Sequence, residues 1–257
     1  MKILTVLFAC SMVWCASAAH SQMTAAPKSE TTQLLEKVLA SDIRTPEERA
    51  RDFPERKPVQ TLEFFGLRPD MTVVELFPGG GWYTKILAPF LADKGKYYAA
   101  FGTSRLAPKL KEWRLDKAGV VDAKLDAKPT GQNGVFSSSV VELPIHDVDM
   151  VLTFRNYHNM APETRALLNA AVFSALKPGG IYGIVDHTRR HMDPGNSEIW
   201  RRVDPVEVIK EVEAAGFEFV DYSTLNYRPD DDLRFDSLRE SLKSYSDRFT
   251  LKFRKRR

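Results

Sequence analysis

The sequence predicts an α/β protein built on a mostly parallel sheet, and three stretches carry that prediction. Thr72-Val73-Val74-Glu75-Leu76 is an apolar, β-branched run of the kind buried on both faces inside a parallel sheet. It breaks at Pro78 and at Gly79, Gly80 and Gly81, and beyond them Trp82, Ile86, Leu87 and Phe90 recur at helical spacing. Strand, glycine turn and helix, in that order, present backbone N–H groups and a helix N-terminus to a ligand. The second stretch is the apolar run ending Val151-Leu152-Thr153-Phe154, with the polar and aromatic cluster Arg155-Asn156-Tyr157-His158-Asn159 at its carboxyl end. In open parallel sheets, ligands bind outside those carboxyl ends. In the third, Lys177-Pro178-Gly179-Gly180 turns the chain into a further strand over residues 181–186.

Composition agrees with this class. The chain of 257 residues is of ordinary single-domain α/β size, and its 43% hydrophobic and 28% charged residues are those of a soluble globular protein. A net charge of +3, with no basic stripe interleaved with aromatics, argues against a nucleic-acid partner.

Residues 1–19 read as a secretory signal peptide. Lys2 precedes the apolar Ile3-Leu4-Thr5-Val6-Leu7-Phe8-Ala9, and Ala16-Ser17-Ala18-Ala19 supplies the small-residue cleavage site. The apolar part is too short to span a bilayer. Cys10 and Cys15 both fall inside it, so the mature chain is expected to hold no disulfide and no thiolate metal site. Periplasmic or secreted localisation follows, unless translation starts at Met23, which would leave the protein cytoplasmic.

Residues 20–30 read as a disordered linker and 31–66 as a helical extension ahead of the main domain, 67–257. Leu34, Leu35, Val38 and Leu39 space a first helix. Thr45-Pro46-Glu47-Glu48 is a capping box opening a second, which runs to about residue 52. Thr61-Leu62-Glu63-Phe64-Phe65 is a short third one. Arg51, Asp52 and Arg56 are either a solvated cover or a closure over the mouth of the ligand crevice.

Beyond the glycine turn, Pro89 interrupts the helical pattern. A second strand is expected over 95–101, a basic helix over 107–116, a loop or small hairpin over 118–134, and a third strand over 135–141. A helix follows Pro162, and another spans 205–215 before Gly216, a C-cap glycine. Residues 217–220 read as a sixth strand, and 247–253 alternate as a last one.

The glycine spacing decides between ligand types. The dinucleotide fingerprint requires a glycine where Thr84 stands, so it fails. Glu75, Gly79 and Gly81 instead form Glu-x-x-x-Gly-x-Gly, which resembles the first motif of class I S-adenosylmethionine (SAM)-dependent methyltransferases. Phe77 stands where that motif usually has its first glycine. Leu176-Lys177-Pro178-Gly179-Gly180 is a second point of likeness to the same family. A plain βα turn and a loop for another nucleotide are the competing readings of the glycines.

The resemblance runs from about residue 51 to 253. It implies a Rossmann-like fold, with a seven-stranded, mostly parallel sheet, helices on both faces and the last strand inserted antiparallel. It also implies SAM as cofactor, held by Glu75, Phe77, Gly79, Gly80, Gly81 and Tyr83. The acid that the family places after the second strand for the ribose hydroxyls is missing, and Thr103 and Ser104 stand in its place. Several phrases of sequence look like a subgroup of bacterial methyltransferases that are often exported.

The implied function is methyl transfer to the oxygen or nitrogen of a small molecule. His158 is the candidate base, with Asn156 and Asp186 as orienting groups, and Tyr83 or Tyr157 could face the sulfonium charge. A histidine after a strand is also a common structural residue. The alternative function is a non-catalytic exported binding protein that keeps the fold. No metal is expected, because His187 and His191 would share a metal only on a helix and a turn punctuates that stretch.

Overall fold

The computed structural model describes residues 27–132, 134–242 and 245–257. The signal peptide, the linker over 20–26 and the alternative start at Met23 lie outside the described residues.

The sheet has seven strands: β1 (Thr72–Leu76), β2 (Lys96–Ala100), β3 (Gly119–Val120), β4 (Val148–Phe154), β5 (Leu176–His187), β6 (Phe217–Ser223) and β7 (Arg248–Lys255). Their order is β6-β7-β5-β4-β1-β2-β3. Pairs among β1 to β5 are parallel, whereas β7 lies antiparallel between β5 and β6. Leu76 pairs with Ala100 on one side and Thr153 on the other, so the carboxyl ends of β1, β2 and β4 finish level. That register brings the glycine turn beside the loop that begins at Arg155.

Period-two alternation gives the sheet two apolar faces. Val74, Leu76 and Val151 face α6 (Pro162–Ala175) and α7 (Pro205–Ala214), packing with Leu168, Val172, Val208 and Val212. Val73, Met150 and Leu152 face the opposite layer, which holds α1 (Glu30–Leu39), α3 (Pro58–Phe65) and α4 (Thr84–Leu91). Leu35, Leu62 and Phe65 share that core with Ile86, so the N-terminal helices are part of the sheet's own packing.

The helix starts have local causes. Ser29 caps α1 by accepting from the N–H of Thr32, which brings Glu30 into the helix rather than the linker. α2 (Pro46–Ala50) carries the expected reciprocal box between Thr45 and Glu48. α5 (Ala107–Glu112) buries Leu110 against the α4 layer.

The third strand is a correction. It is Gly119–Val120, inside the stretch expected to be a loop, and it pairs with Tyr98 and Ala99 of β2. A Cβ at Gly119 would lie 2.4 Å from the Tyr98 ring, so only glycine permits that pairing. The segment 135–141, expected to be this strand, contributes to two small antiparallel ribbons, Phe136–Ser137 with Lys128–Pro129 and Val141–Glu142 with Lys124–Leu125. Ser138 turns the chain between them, its hydroxyl donating to the carbonyl of Val140 and accepting from the N–H of Asp126. Among the described residues no helix is long and apolar enough to cross a membrane.

Candidate active site

A cavity of about 520 Å³ opens at the carboxyl ends of β1 and β4. Glu75, Gly79, Gly80 and Tyr83 border it from the first βα unit, and Arg155, Asn156 and His158 from the second. Arg51 and Arg56 close it from the N-terminal helices. Of the three charges expected at its mouth, Asp52 is turned away, pairing with the buried Arg44 at 2.5 and 2.7 Å.

The glycine bend is open. Gly79 has φ +57°, and nothing lies within 4 Å of where a Cβ would sit at Gly79 or Gly80. The Phe77 ring stacks on Phe101 at 5.3 Å between centroids, so it does not fill the bend. Gly81 has another task, because its Cβ would lie 2.7 Å from the Trp113 ring and it does not line the cavity. Thr103 and Ser104 form a single turn after β2 and do not line it either.

Glu75 is buried at the end of β1, and one of its oxygens accepts from Tyr97 at 2.5 Å and from Thr84 at 2.8 Å. Burial raises its pKa to about 7, against the lowering effect of those hydrogen bonds and of Arg56. A carboxyl raised on folding stabilises the protein fully below its unfolded value and loses that contribution as pH climbs through the folded value. Glu75→Gln keeps the shape and removes the titration. We expect the variant's stability to fall less than wild type between about pH 5 and 8 in urea denaturation, and identical slopes would contradict the placement.

Tyr83 is buried, with its ring stacked on Phe154 at 3.5 Å and 9°, and burial pushes its hydroxyl up to about 12. Tyr157 turns inward, its hydroxyl bonded to Glu211 and Asn169, and so has no place on the cavity wall.

His158 is buried, with Nδ1 2.6 Å from Asp186 Oδ1. Asp186, fully buried at the end of β5, also accepts from the backbone N–H groups of His158 at 3.0 Å and His187 at 2.7 Å. A carboxylate held by donors on this side fixes Nδ1 as the protonated nitrogen and leaves Nε2 with a lone pair. His158 also borders a second cavity of about 480 Å³, roofed by Trp200.

Asn156, expected to orient His158, does something else. Its amide donates to the carbonyls of Phe77 at 3.1 Å and Phe154 at 2.9 Å, tying the two loops together across the crevice. Asn156→Ala is expected to cost about 1–2 kcal/mol of stability in chemical denaturation, because two carbonyls lose their donor.

The residues weighed for a metal are dispersed among other partners. His187 meets Ser246 at 2.9 Å, His191 meets Asp204 at 2.8 Å, and Asp193 accepts from Gly195. Burial and the cations around His187 hold its pKa well below the usual histidine value, so it stays neutral. Among the described residues no group of three His, Cys, Asp or Glu side chains could hold a metal ion.

No protein-family model and no curated protein matches the sequence. Solved structures do match the architecture. A SAM-dependent methyltransferase from Aquifex aeolicus superposes with a TM-score of 0.56 at 17% identity, over 89% of this chain and 100% of that one. The fold is that of SAM-dependent methyltransferases. A putative methyltransferase of Haloferax volcanii, solved with the Trm112 activator, gives 0.55 at 14% identity over 90% of this chain and all of its own. The [4+2]-cyclase SpnF gives 0.55 at 15% identity, covering 88% and 92%. Within this one methyltransferase fold the neighbours therefore carry more than one named chemistry, and the site residues must carry the functional argument.

Several cavity residues are not singled out by the sequence, among them Arg155, His187, Arg201 and Ser237. Arg155 was read only as part of a polar run, and His187 only as a metal candidate. Arg155 directly follows β4 and His187 is the last residue of β5, and that position at a strand's carboxyl end is the signal that marks them.

Proposed function

We propose that this protein is a SAM-dependent methyltransferase acting at the oxygen or nitrogen of a small molecule. The observation that carries this reading is one cavity bordered by the open glycine bend and by His158, which Asp186 holds from behind. The residues fit the cofactor, since Gly79 and Gly80 leave a bare main-chain cradle beside Glu75, which suits the amino-acid end of the donor. When bound, the sulfonium supplies an electrophilic methyl group, and the protein supplies position and electrostatics.

His158 Nε2 accepts the proton that the acceptor's hydroxyl or ammonium must lose. Asp186 then stabilises the resulting imidazolium through Nδ1–H. Asn156 holds the base loop against the donor loop, which keeps the two halves in reacting geometry.

The test is calorimetric titration with SAM and S-adenosylhomocysteine. Saturable binding of both, lost on Gly79→Val, supports the reading. Absence of heat and of a thermal shift at millimolar ligand would replace it with a binding protein that keeps the fold. That second reading draws on the missing acid after β2, where the chain runs Phe101-Gly102-Thr103-Ser104.

The proposed location is the periplasm or the exterior, on the signal-like residues 1–19, with the cytoplasm as the alternative if translation begins at Met23. Mass-spectrometric sequencing of the native N-terminus decides between them.

A further inference from the structure

One wall of the cavity holds more positive charge than its own carboxylates can neutralise. Behind that wall lies Glu55, which is buried. Arg51 takes both Glu55 oxygens in a fork, at 2.8 and 2.6 Å. Three further guanidinium groups approach the same carboxylate outside hydrogen-bond distance: Arg56 at 3.6 Å, Arg248 at 3.7 Å and Arg155 at 4.0 Å.

Two of these, Arg56 and Arg155, face the cavity. Arg56 is only 6% exposed, lies over the Trp82 ring at 4.3 Å, and its Nε has no hydrogen-bond partner among the described residues. Arg155 sits at φ +60° directly after β4, and its only ion pair among the described residues is the long one to Glu55. The other charged groups on the wall are matched, Glu48 to Lys85 at 3.0 Å and Arg201 to Asp236 at 2.6 Å.

A buried cation that shares its counter-charge is costly. Arg56 is buried while Arg155 is partly exposed to the cavity, and both share the one Glu55 carboxylate with Arg51 and Arg248. Burial and the charge of Arg155 both lower the pKa of Arg56, in the direction expected of a cation short of counter-charge. The methyl donor brings no net negative charge to this wall. It carries a sulfonium and an ammonium against a single carboxylate, so it enters as a net cation. Planar guanidinium forks match the geometry of carboxylate and phosphate oxygens.

We propose that Arg56 and Arg155 form an oxyanion subsite for the methyl acceptor, which is therefore a small molecule bearing a carboxylate or phosphate group. This rests on the transferase reading and deepens it. The anionic end of the acceptor lies against the two guanidiniums, and its nucleophilic end points along the same cavity towards His158.

The experiment titrates inorganic phosphate, and separately acetate, into the protein alone and saturated with S-adenosylhomocysteine, at constant ionic strength made up with chloride. At least one anion is expected to bind the loaded protein. Arg155→Gln is expected to weaken that binding about tenfold or more, with S-adenosylhomocysteine affinity kept within about twofold. Arg155→Lys should restore part of the loss, since it returns the charge without the fork. Arg155 is the primary variant because it is the more exposed of the two, and a circular-dichroism melt confirms its fold.

Failure of the loaded protein to bind either anion would overturn the proposal. So would competition between anion and S-adenosylhomocysteine with an equal loss of both in Arg155→Gln, which would assign the guanidinium to the donor's carboxylate. Anion binding by a protein that never binds S-adenosylhomocysteine would keep the oxyanion subsite and remove the transferase reading.

Discussion

His158→Ala is expected to lower methyl transfer by about 10²–10⁴-fold, the usual contribution of a positioned general base. The measurement is conversion of SAM to S-adenosylhomocysteine in the presence of a small-molecule extract as acceptor source. The donor should still bind, because Asp186 remains held by the backbone N–H groups of residues 158 and 187 and the glycine bend is untouched. Asp186→Asn separates base chemistry from packing. An amide cannot accept all three donors that converge on Asp186, so it favours the tautomer with Nε2 protonated. A comparable rate loss is therefore expected with the imidazole still present. Full turnover in both variants would remove His158 from the reaction and leave the pair as a structural tie between β4 and β5.

Gly81→Ala should produce a large loss of stability, and Gly79→Ala a small one. Both glycines have positive φ, +83° and +57°, so each substitution carries left-handed strain of about 1–2 kcal/mol. Only at residue 81 does the new methyl also strike a neighbour, the Trp113 ring at 2.7 Å with Leu106 at 3.1 Å behind it. Overpacking of that kind adds about 1–3 kcal/mol, for a total of roughly 2–5 kcal/mol. Urea denaturation reads the difference. Ligand affinity should follow the opposite pattern, because the methyl of Gly79→Ala projects into the empty cradle. Equal stability losses in the two variants would refute this division of labour within the motif.

That division explains how much of the site was legible beforehand. The strand, the bend and the helix after it were readable because burial on both faces forces β-branched runs, and the bend demands glycine. The sequence could not say that one glycine serves the cavity and its neighbour serves Trp113. β3 escaped because two residues carry no periodicity, while the apolar and serine run over 135–141 imitates a strand that Ser138 in fact turns. The His158–Asp186 pairing spans 28 residues and depends on β4 and β5 being neighbours, which the parallel order makes natural. Asn156 defeated the reading because a side-chain amide shows its type and not its target. The arginine wall was half visible. Arg51 and Arg56 were marked by their place before β1, but nothing in the sequence says that they, Arg155 and Arg248 crowd around one carboxylate.

The position of β7 has a consequence for biogenesis. It follows β6 in the chain yet lies between β5 and β6, so a nascent protein emerging N-terminus first cannot close its sheet until residue 255 is free. Until then residues 181–187 of β5 present an edge of unpaired main-chain N–H and C=O groups, a template for aggregation. Chaperone demand should therefore peak late in synthesis, and a chain released before Arg248 should be recovered from inclusion bodies rather than from the soluble fraction.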